Sequence, residues 1–167
     1  MKAALIFLSM SGNTAKMAEE IAAGIREEGG EARLFNIREE VDYEYVQSCD
    51  SVIFGTPAIS GGISGELKMW LDQNGRKLGL YGKLGGVFAT AKFIHGGADL
   101  AMVTLMTEML CSGMMVFSTG GGIPGTEKGM TMIHTGPVAL DKEMEQYAPL
   151  FRLYGKRFAA RAKAIAG

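Results

Sequence analysis

The chain has 167 residues, of which 47% are hydrophobic and 21% are charged. This length is typical of one ordinary domain that buries roughly two thirds of its unfolded surface, and we expect a single domain over residues 1–167. The 18 acidic and 17 basic side chains nearly cancel, which leaves a net charge of −1. No overall field therefore attracts nucleic acid or an anionic membrane, and we expect neither as a partner.

The amino-terminal stretch MKAALIFLS contains six successive apolar residues before polar ones begin. Such a run is too short for a signal-peptide core or a membrane span, so the sequence predicts a cytoplasmic protein without membrane insertion. Cys49 and Cys111 lie 62 positions apart, with no C-x-x-C motif and no Cys/His cluster of metal-ligand spacing. We expect both to be reduced packing residues and predict no metal site.

Apolar runs alternate with longer segments of helical period along the chain. In order, the pattern predicts a strand at residues 3–8, a helix at 13–28, a strand at 31–36, one or two helical turns at 43–47, a strand at 51–55, a helix at 65–74, a strand at 85–90, a helix at 98–112, a strand at 114–118 and a helix at 141–166. Because crossovers between parallel strands are right-handed, we predict a doubly wound α/β fold with five parallel strands and helices on both faces.

Polar or glycine-rich loops follow four of the predicted strands, at residues 9–14, 56–65, 90–97 and 119–136. Ligands of doubly wound sheets bind at these carboxyl ends of the strands. The first loop, SMSGNT, leads directly into a helix, so free N–H groups and the positive end of the helix dipole meet at one point. Its hydroxyl and amide groups add donors that can bind a phosphate without a cationic side chain.

Two common phosphate-binding motifs are absent from this first loop. A Walker A loop requires G-x-x-x-x-G-K-[ST], and a dinucleotide-binding turn requires G-x-G-x-x-G. Residues 9–14 contain a single glycine, Gly12. A single terminal phosphate fits better than a triphosphate or a pyrophosphate. Helix capping alone is the simpler interpretation, but one cap accounts for one residue of the loop.

The first loop resembles the phosphate loop of flavodoxin-like FMN proteins. The stretch FGTPAISGGISGELKMWLDQNG, residues 54–75, is similar to the second flavin loop and following helix of the tryptophan-repressor-binding-protein-like NAD(P)H:quinone oxidoreductases. TAKFIHGGADLAMVTLM, residues 90–106, is similar to their third loop, and MTMIHTGP, residues 130–137, is a weaker match to a later loop near the quinone. The resemblance implies a flavodoxin-like sheet of order 2-1-3-4-5.

The resemblance also implies an FMN site built from three loops. The FMN phosphate would be held by Ser9, Met10, Ser11, Gly12, Asn13 and Thr14. The flavin ring would lie along Pro57, Ala58, Ile59, Ser60, Gly61 and Gly62, and its other edge would border Thr90, Ala91, Lys92, Phe93, Gly96 and Gly97. The family resemblance further implies a homo-oligomer, a dimer or a tetramer.

The second loop departs from the family pattern. Ser60-Gly61-Gly62 stands where the family often has a large aromatic residue followed by Gly-Asn. One face of the flavin would then lack a stacking partner, unless Phe93 or an aromatic residue of another subunit replaces it. Because of this departure, a second hypothesis remains, in which the domain has lost its cofactor and serves as a binding module.

His95 and His134 are the only two histidines, and both fall in loops predicted to lie at the carboxyl end of the sheet. A histidine can donate or accept the proton that accompanies two-electron reduction of a quinone, so we predict this role for both. The alternative is that each imidazole only hydrogen-bonds backbone.

The resemblance predicts an enzyme in which FMN takes a hydride from NAD(P)H, and a quinone or similar small-molecule electron acceptor then takes two electrons in the same pocket, a ping-pong reaction. The alternative is a flavodoxin-type carrier of single electrons. Such carriers are typically very acidic because charge steers their encounters with protein partners, which a net charge of −1 does not favour. A response-regulator receiver is excluded because Ser9 and Gly55-Thr56 stand where it needs acidic residues.

Two helical patterns bear on packing and on the surface. Met102, Met106 and Met109 recur at helical spacing, which fits either core packing or a subunit interface. The last predicted helix carries five basic residues, Arg152, Lys156, Arg157, Arg161 and Lys163, which we expect to form a solvated face that complements the helix dipole.

Overall fold

The computed structural model describes residues 1–120 and 134–166 of the protein. In these two ranges it contains seven β-strands, five α-helices and one short 3₁₀ helix. The strands are β1 (Lys2–Phe7), β2 (Glu31–Asn36), β3 (Ser51–Ile59), β4 (Gly62–Ile63), β5 (Leu84–Ala91), β6 (Met115–Val116) and β7 (Val138–Leu140). The helices are α1 (Asn13–Glu27), α2 (Tyr43–Gln47), α3 (Gly65–Asn74), α4 (Ala98–Cys111) and α5 (Met144–Ala166), with the 3₁₀ helix at Gly75–Leu78.

The sheet has the strand order β2-β1-β3-β5-β6, with parallel pairing throughout this path. Since β5 and β6 are the fourth and fifth predicted strands, the predicted order 2-1-3-4-5 is confirmed. Two short strands were not predicted. The strand β4 folds back antiparallel on the end of β3, and β7 pairs with β5.

The fifth position of the sheet is shared by two short strands on the same edge of β5. There β6 pairs with Leu84 and Gly85, and β7 pairs with the last three residues, 89–91. Between them, the Val87 N–H donates to the phenol oxygen of Tyr154 at 3.1 Å. Tyr154 is fully buried, and burial raises the pKa of its phenol well above the ordinary value. The neutral phenol of α5 thus accepts the N–H of Val87 at a position where no strand of the described residues pairs with this edge of β5.

Helices cover both faces of the sheet, as predicted. On one face, α1 lays the expected stripe of Met17, Ile21 and Ile25 against β1 and α5, and all three are fully buried. On the other face lie α2, α3 and α4. The central strands β1, β3 and β5 are apolar on both sides, as strands of a covered parallel sheet must be.

Arg152, Arg161 and Lys163 of α5 are exposed, as expected, and two of the basic residues of this helix also form ion pairs with α1. Arg152 contacts Glu20 at 2.8 Å, and Lys156 contacts Glu27 at 2.6 Å. A hydrogen bond from Lys156 is the main cause that lowers the pKa of the Glu27 carboxyl. This side of α5 therefore packs against α1, with ion pairs bordering the apolar contact.

The methionine stripe of α4 belongs mainly to the core, since Met102 and Met109 are fully buried and Met106 is half-buried. Cys49 is buried, as expected, but the expectation for Cys111 was wrong, because it is exposed at the end of α4. Within residues 1–120 and 134–166, no cluster of His, Cys, Asp and Glu could hold a metal ion. In the same described part, no helix combines the length and apolar character needed to cross a membrane.

Candidate functional site

The loop after β1 is held at its start by a neighbouring strand. The Ser9 N–H donates to the side-chain oxygen of Asn36 at 3.2 Å, and the Asn36 amide nitrogen donates back to the Ser9 carbonyl at 3.1 Å. Asn36 is the last residue of β2. The loop then turns into α1 through Gly12, whose φ of 93° lies in the left-handed region that favours glycine.

The backbone N–H groups of residues 10–14 have no hydrogen-bond partner among the described residues. The next two N–H groups are paired, since Ala15 donates to the Ser9 hydroxyl at 3.2 Å and Lys16 donates to the Gly12 carbonyl at 2.9 Å. Five successive N–H donors that no described residue pairs therefore stand at the amino end of a 15-residue helix. Such an end carries a partial positive charge, and the arrangement suits an anion.

Direct contacts join the three loops. The hydroxyls of Thr14 and Thr90 lie 2.9 Å apart in a buried position, which links the first loop to the end of β5. The third loop meets the second at Gly97, where a Cβ would lie 2.1 Å from the carbonyl carbon and oxygen of Gly61. The Asn13 amide nitrogen donates to the Asp141 carboxylate at 2.6 Å, which connects the first loop to the turn between β7 and α5.

The glycine-rich second loop is a tight β-hairpin. Ile59 pairs with Gly62 across β3 and β4, so that Ser60 and Gly61 form a two-residue turn. Both turn residues have positive φ, 51° and 85°, as the favoured hairpin turns require. The sequence predicted a polar or glycine-rich loop at these positions, without the hairpin.

A cavity of about 150 Å³ opens at the carboxyl ends of β1, β3 and β5. Ten of the predicted cofactor-binding residues line it: Met10, Ser11, Asn13, Thr14, Pro57, Ala58, Ile59, Thr90, Ala91 and Lys92. The other predicted ones, which do not line it, are Ser9, Gly12, Ser60, Gly61, Gly62, Phe93, Gly96 and Gly97. Ligand pockets commonly measure about 300–1,000 Å³, so this cavity alone is smaller than a typical ligand pocket.

The rim of the cavity is apolar and open to solvent. Met10 is 52% exposed and Ile59 is 37% exposed, and they belong to the first and second loops. Phe93 is also exposed, and the Lys92 ammonium lies 5.6 Å from the centre of its ring. Among the described residues of the lining, the ionisable side chains are Lys92 and Asp141, of opposite charge.

Neither histidine lines the cavity. His95 is exposed on the loop before α4. His134 is also exposed, and its carbonyl accepts a hydrogen bond from the Ser118 hydroxyl at 2.7 Å. The proposed proton-transfer roles of both residues stay predictions. Most of the loop predicted at residues 119–136, namely residues 121–133, lies outside the described residues.

The sequence of residues 5–90 matches the pattern of the flavodoxin family. The chain belongs to this family. A flavodoxin of Clostridium saccharobutylicum is 33% identical over 99% of each chain. An NAD(P)H dehydrogenase (quinone) of Archaeoglobus fulgidus is 27% identical over 96% of this chain and 97% of its own. The crystal structure of a WrbA-like flavodoxin from Agrobacterium tumefaciens covers 98% of each chain, with a TM-score of 0.79 at 22% identity. The predicted flavodoxin-like fold and family resemblance are confirmed.

Sequence reasoning missed three residues of this flavodoxin-family site. Asn36 holds the first loop, and Asp141 and Met144 line the cavity. Asn36 ends a predicted strand beside the first one, so its position at the carboxyl edge was a usable signal. Asp141 and Met144 were assigned to the start of a helix, and only the pairing of β7 with β5 brings them to the site.

Proposed function

We propose that this flavodoxin-family protein binds FMN and is an oxidoreductase that moves a hydride from NAD(P)H to a quinone or similar small acceptor by a ping-pong mechanism. The observation that carries the proposal is the row of free N–H donors at residues 10–14, beside a cavity lined by three loops of the same sheet edge. FMN has a terminal phosphate and a flat ring, which match an anion cradle and an open apolar rim.

The donor set fits a phosphate without a cation from the first loop. The hydroxyls of Ser11 and Thr14 and the amide of Asn13 add side-chain donors to the backbone groups. Asn13 is already bonded to Asp141, whose carboxylate therefore orients the amide and also places a negative charge near the phosphate. We expect the oriented amide to raise the affinity for FMN and the nearby negative charge to lower it.

FMN, when bound, supplies the hydride chemistry at its ring. The chain's own residues anchor and orient it. In the proposal, the loop of residues 9–14 fixes the phosphate, Pro57–Ile59 and Thr90–Lys92 border the ring, and the open rim admits NAD(P)H and then the acceptor. An exposed His95 stands on the third loop, from which we propose that it donates a proton to the reduced acceptor.

A flavodoxin-type electron carrier is the second candidate, because the relative that is 33% identical is named flavodoxin. Two observations favour the enzyme. The net charge of −1 gives no strong field to steer a basic protein partner, and a relative that aligns with this chain over 97% of its own length is named NAD(P)H dehydrogenase (quinone).

The placement of the phosphate is tested by Ser11→Glu, read out as the dissociation constant for FMN. Ser11 is exposed, so the substitution adds a carboxylate to the cradle without disturbing the core. Because opposed like charges cost several kcal/mol, we expect affinity to fall by about 100-fold or more. The matched control is Ser48→Glu, at another exposed serine, with affinity unchanged. Equal affinity in the two variants would show that the phosphate binds elsewhere.

The activity is tested by anaerobic titration of the FMN-loaded protein. We expect NADH or NADPH to bleach the visible absorbance of the flavin, and a stoichiometric amount of a simple quinone to restore it. A carrier would bind FMN with the same dependence on Ser11 but would not be bleached by either nucleotide. The two experiments therefore separate failure of the site from failure of the activity.

A further inference from the structure

The outward face of α4 carries a stripe of residues that nothing in the described chain covers. Leu100, Val103, Thr107 and Leu110 are exposed, and the three apolar ones are 60%, 46% and 62% exposed. Their spacing of three, four and three positions is the a/d spacing with which one helix faces another helix. We call these four residues the α4 seam.

The α4 seam is uncharged and needs no polar partner. The Thr107 hydroxyl donates to the Val103 carbonyl at 3.0 Å, and the hydroxyl of the adjacent Thr104 donates to the Leu100 carbonyl at 2.9 Å. Both hydroxyls are therefore satisfied within the helix, and the threonines can present their methyl groups outward. A dry surface can cover this face without leaving an unpaired donor.

The exposed face of α1 has the opposite character. Its exposed residues are all charged: Lys16, Glu19, Arg26 and Glu27. Among the six exposed residues of α4, Asp99 alone is charged, and the others are the seam and Cys111. Helices that stay on a protein's surface normally carry charged or polar residues on their outer face, so α4 has the composition of a helix that is covered.

We propose that the α4 seam is a self-association surface, on which α4 of a second copy of this chain packs antiparallel. A twofold interface requires a patch that matches itself, and an uncharged patch does not repel its own copy. The seam also has the same shape in both directions, with leucine at each end and the near-isosteric Val103 and Thr107 in the middle. In the antiparallel arrangement, Leu100 faces Leu110 of the second copy, and Val103 faces its Thr107.

The side chains, direction and area of the seam bear on how two copies pack. The small β-branched side chains allow close approach of the two helix axes, as a crossing of a/d faces requires. The antiparallel direction also brings opposite ends of the two helix dipoles together. Stable interfaces bury roughly 800 Å² per partner, more than one short helix face provides. The exposed Phe93 and Ile94, just before α4, add apolar surface to it.

The first test compares Val103→Glu with Ile165→Glu by light scattering after size exclusion, with and without FMN. The two side chains have nearly equal exposure, 46% and 47%, but Ile165 lies near the end of α5, off the seam. We expect the wild type and Ile165→Glu to have at least twice the protomer mass of 17.8 kDa, and Val103→Glu to have half the wild-type value. Circular dichroism checks that both variants remain folded.

The second test is a charge pair. In the antiparallel arrangement, Val103→Glu combined with Thr107→Lys places each Glu opposite a Lys of the second copy, and we expect the double variant to regain the wild-type mass. A monomeric wild type, or an unchanged mass in Val103→Glu, would overturn the proposal. A double variant that stays dissociated would overturn the antiparallel pairing. Each outcome is independent of whether the protein oxidises NAD(P)H.

Discussion

Replacing Tyr154 by Phe removes one buried hydroxyl and leaves the Val87 N–H at the interrupted sheet edge without its acceptor. The ring contacts remain, since Tyr154 lies 5.4 Å from Phe117 and 6.4 Å from Phe158 between ring centres. The cost is therefore that of an unsatisfied buried donor, about 1–3 kcal/mol. For a chain of this length, each kcal/mol lowers the melting temperature by about 2–4 °C, so we expect a decrease of roughly 2–12 °C.

The assay is thermal unfolding followed by circular dichroism, with Tyr147→Phe as the matched control. Tyr147 is on the same helix, half-buried, and its phenol lies 3.5 Å from the Glu143 carboxylate. Its substitution should cost no more than about 0.5 kcal/mol, as is usual at the surface. We also expect the Val87 amide to exchange its hydrogen faster in Tyr154→Phe. Equal melting temperatures in the two variants, or unchanged exchange at Val87, would refute the role given to the hydroxyl.

Gly97→Ala should destabilise the protein by about 1–3 kcal/mol more than Gly82→Ala, since both glycines have positive φ but only at Gly97 would the new Cβ meet Gly61. Urea unfolding measures the difference, and equal losses would contradict the loop contact. Cys111 should react with a thiol reagent at pH 8 in the native protein, whereas Cys49 should react only after unfolding, because burial raises the pKa of its thiol to about 11 and keeps it protonated. Simultaneous reaction of both thiols would contradict this assignment.

The central strands and the helices that pack on them were predictable because each has a long, clear pattern. Helix α1 shows Met17, Ile21 and Ile25 at intervals of four, and the structure buries all three. The apolar run at residues 51–55 identified β3, although the strand continues to Ile59. Such elements are fixed by burial on the sheet, which a single sequence records as hydrophobic periodicity.

The short elements were not predictable because distant pairing creates them. The three residues of β7 are too few to show a hydrophobic period, and they form a strand because they pair with β5. The hairpin at Ser60-Gly61 was read as loop because its glycine supplies positive φ rather than a hydrophobic signal. The same reason explains the missed Asp141, which reaches the cavity only because β7 pairs at the carboxyl end of β5.

The hydrogen bond between the Thr14 and Thr90 hydroxyls ties the first loop to β5. The contact of Gly61 with Gly97 ties the second loop to the third. Substitutions in different loops will for this reason show coupled effects that do not add. Transplanting a single loop from a relative should lower ligand affinity even when the donor sequence is well adapted to its own scaffold. Redesign of ligand preference in this protein will have to exchange the touching segments together.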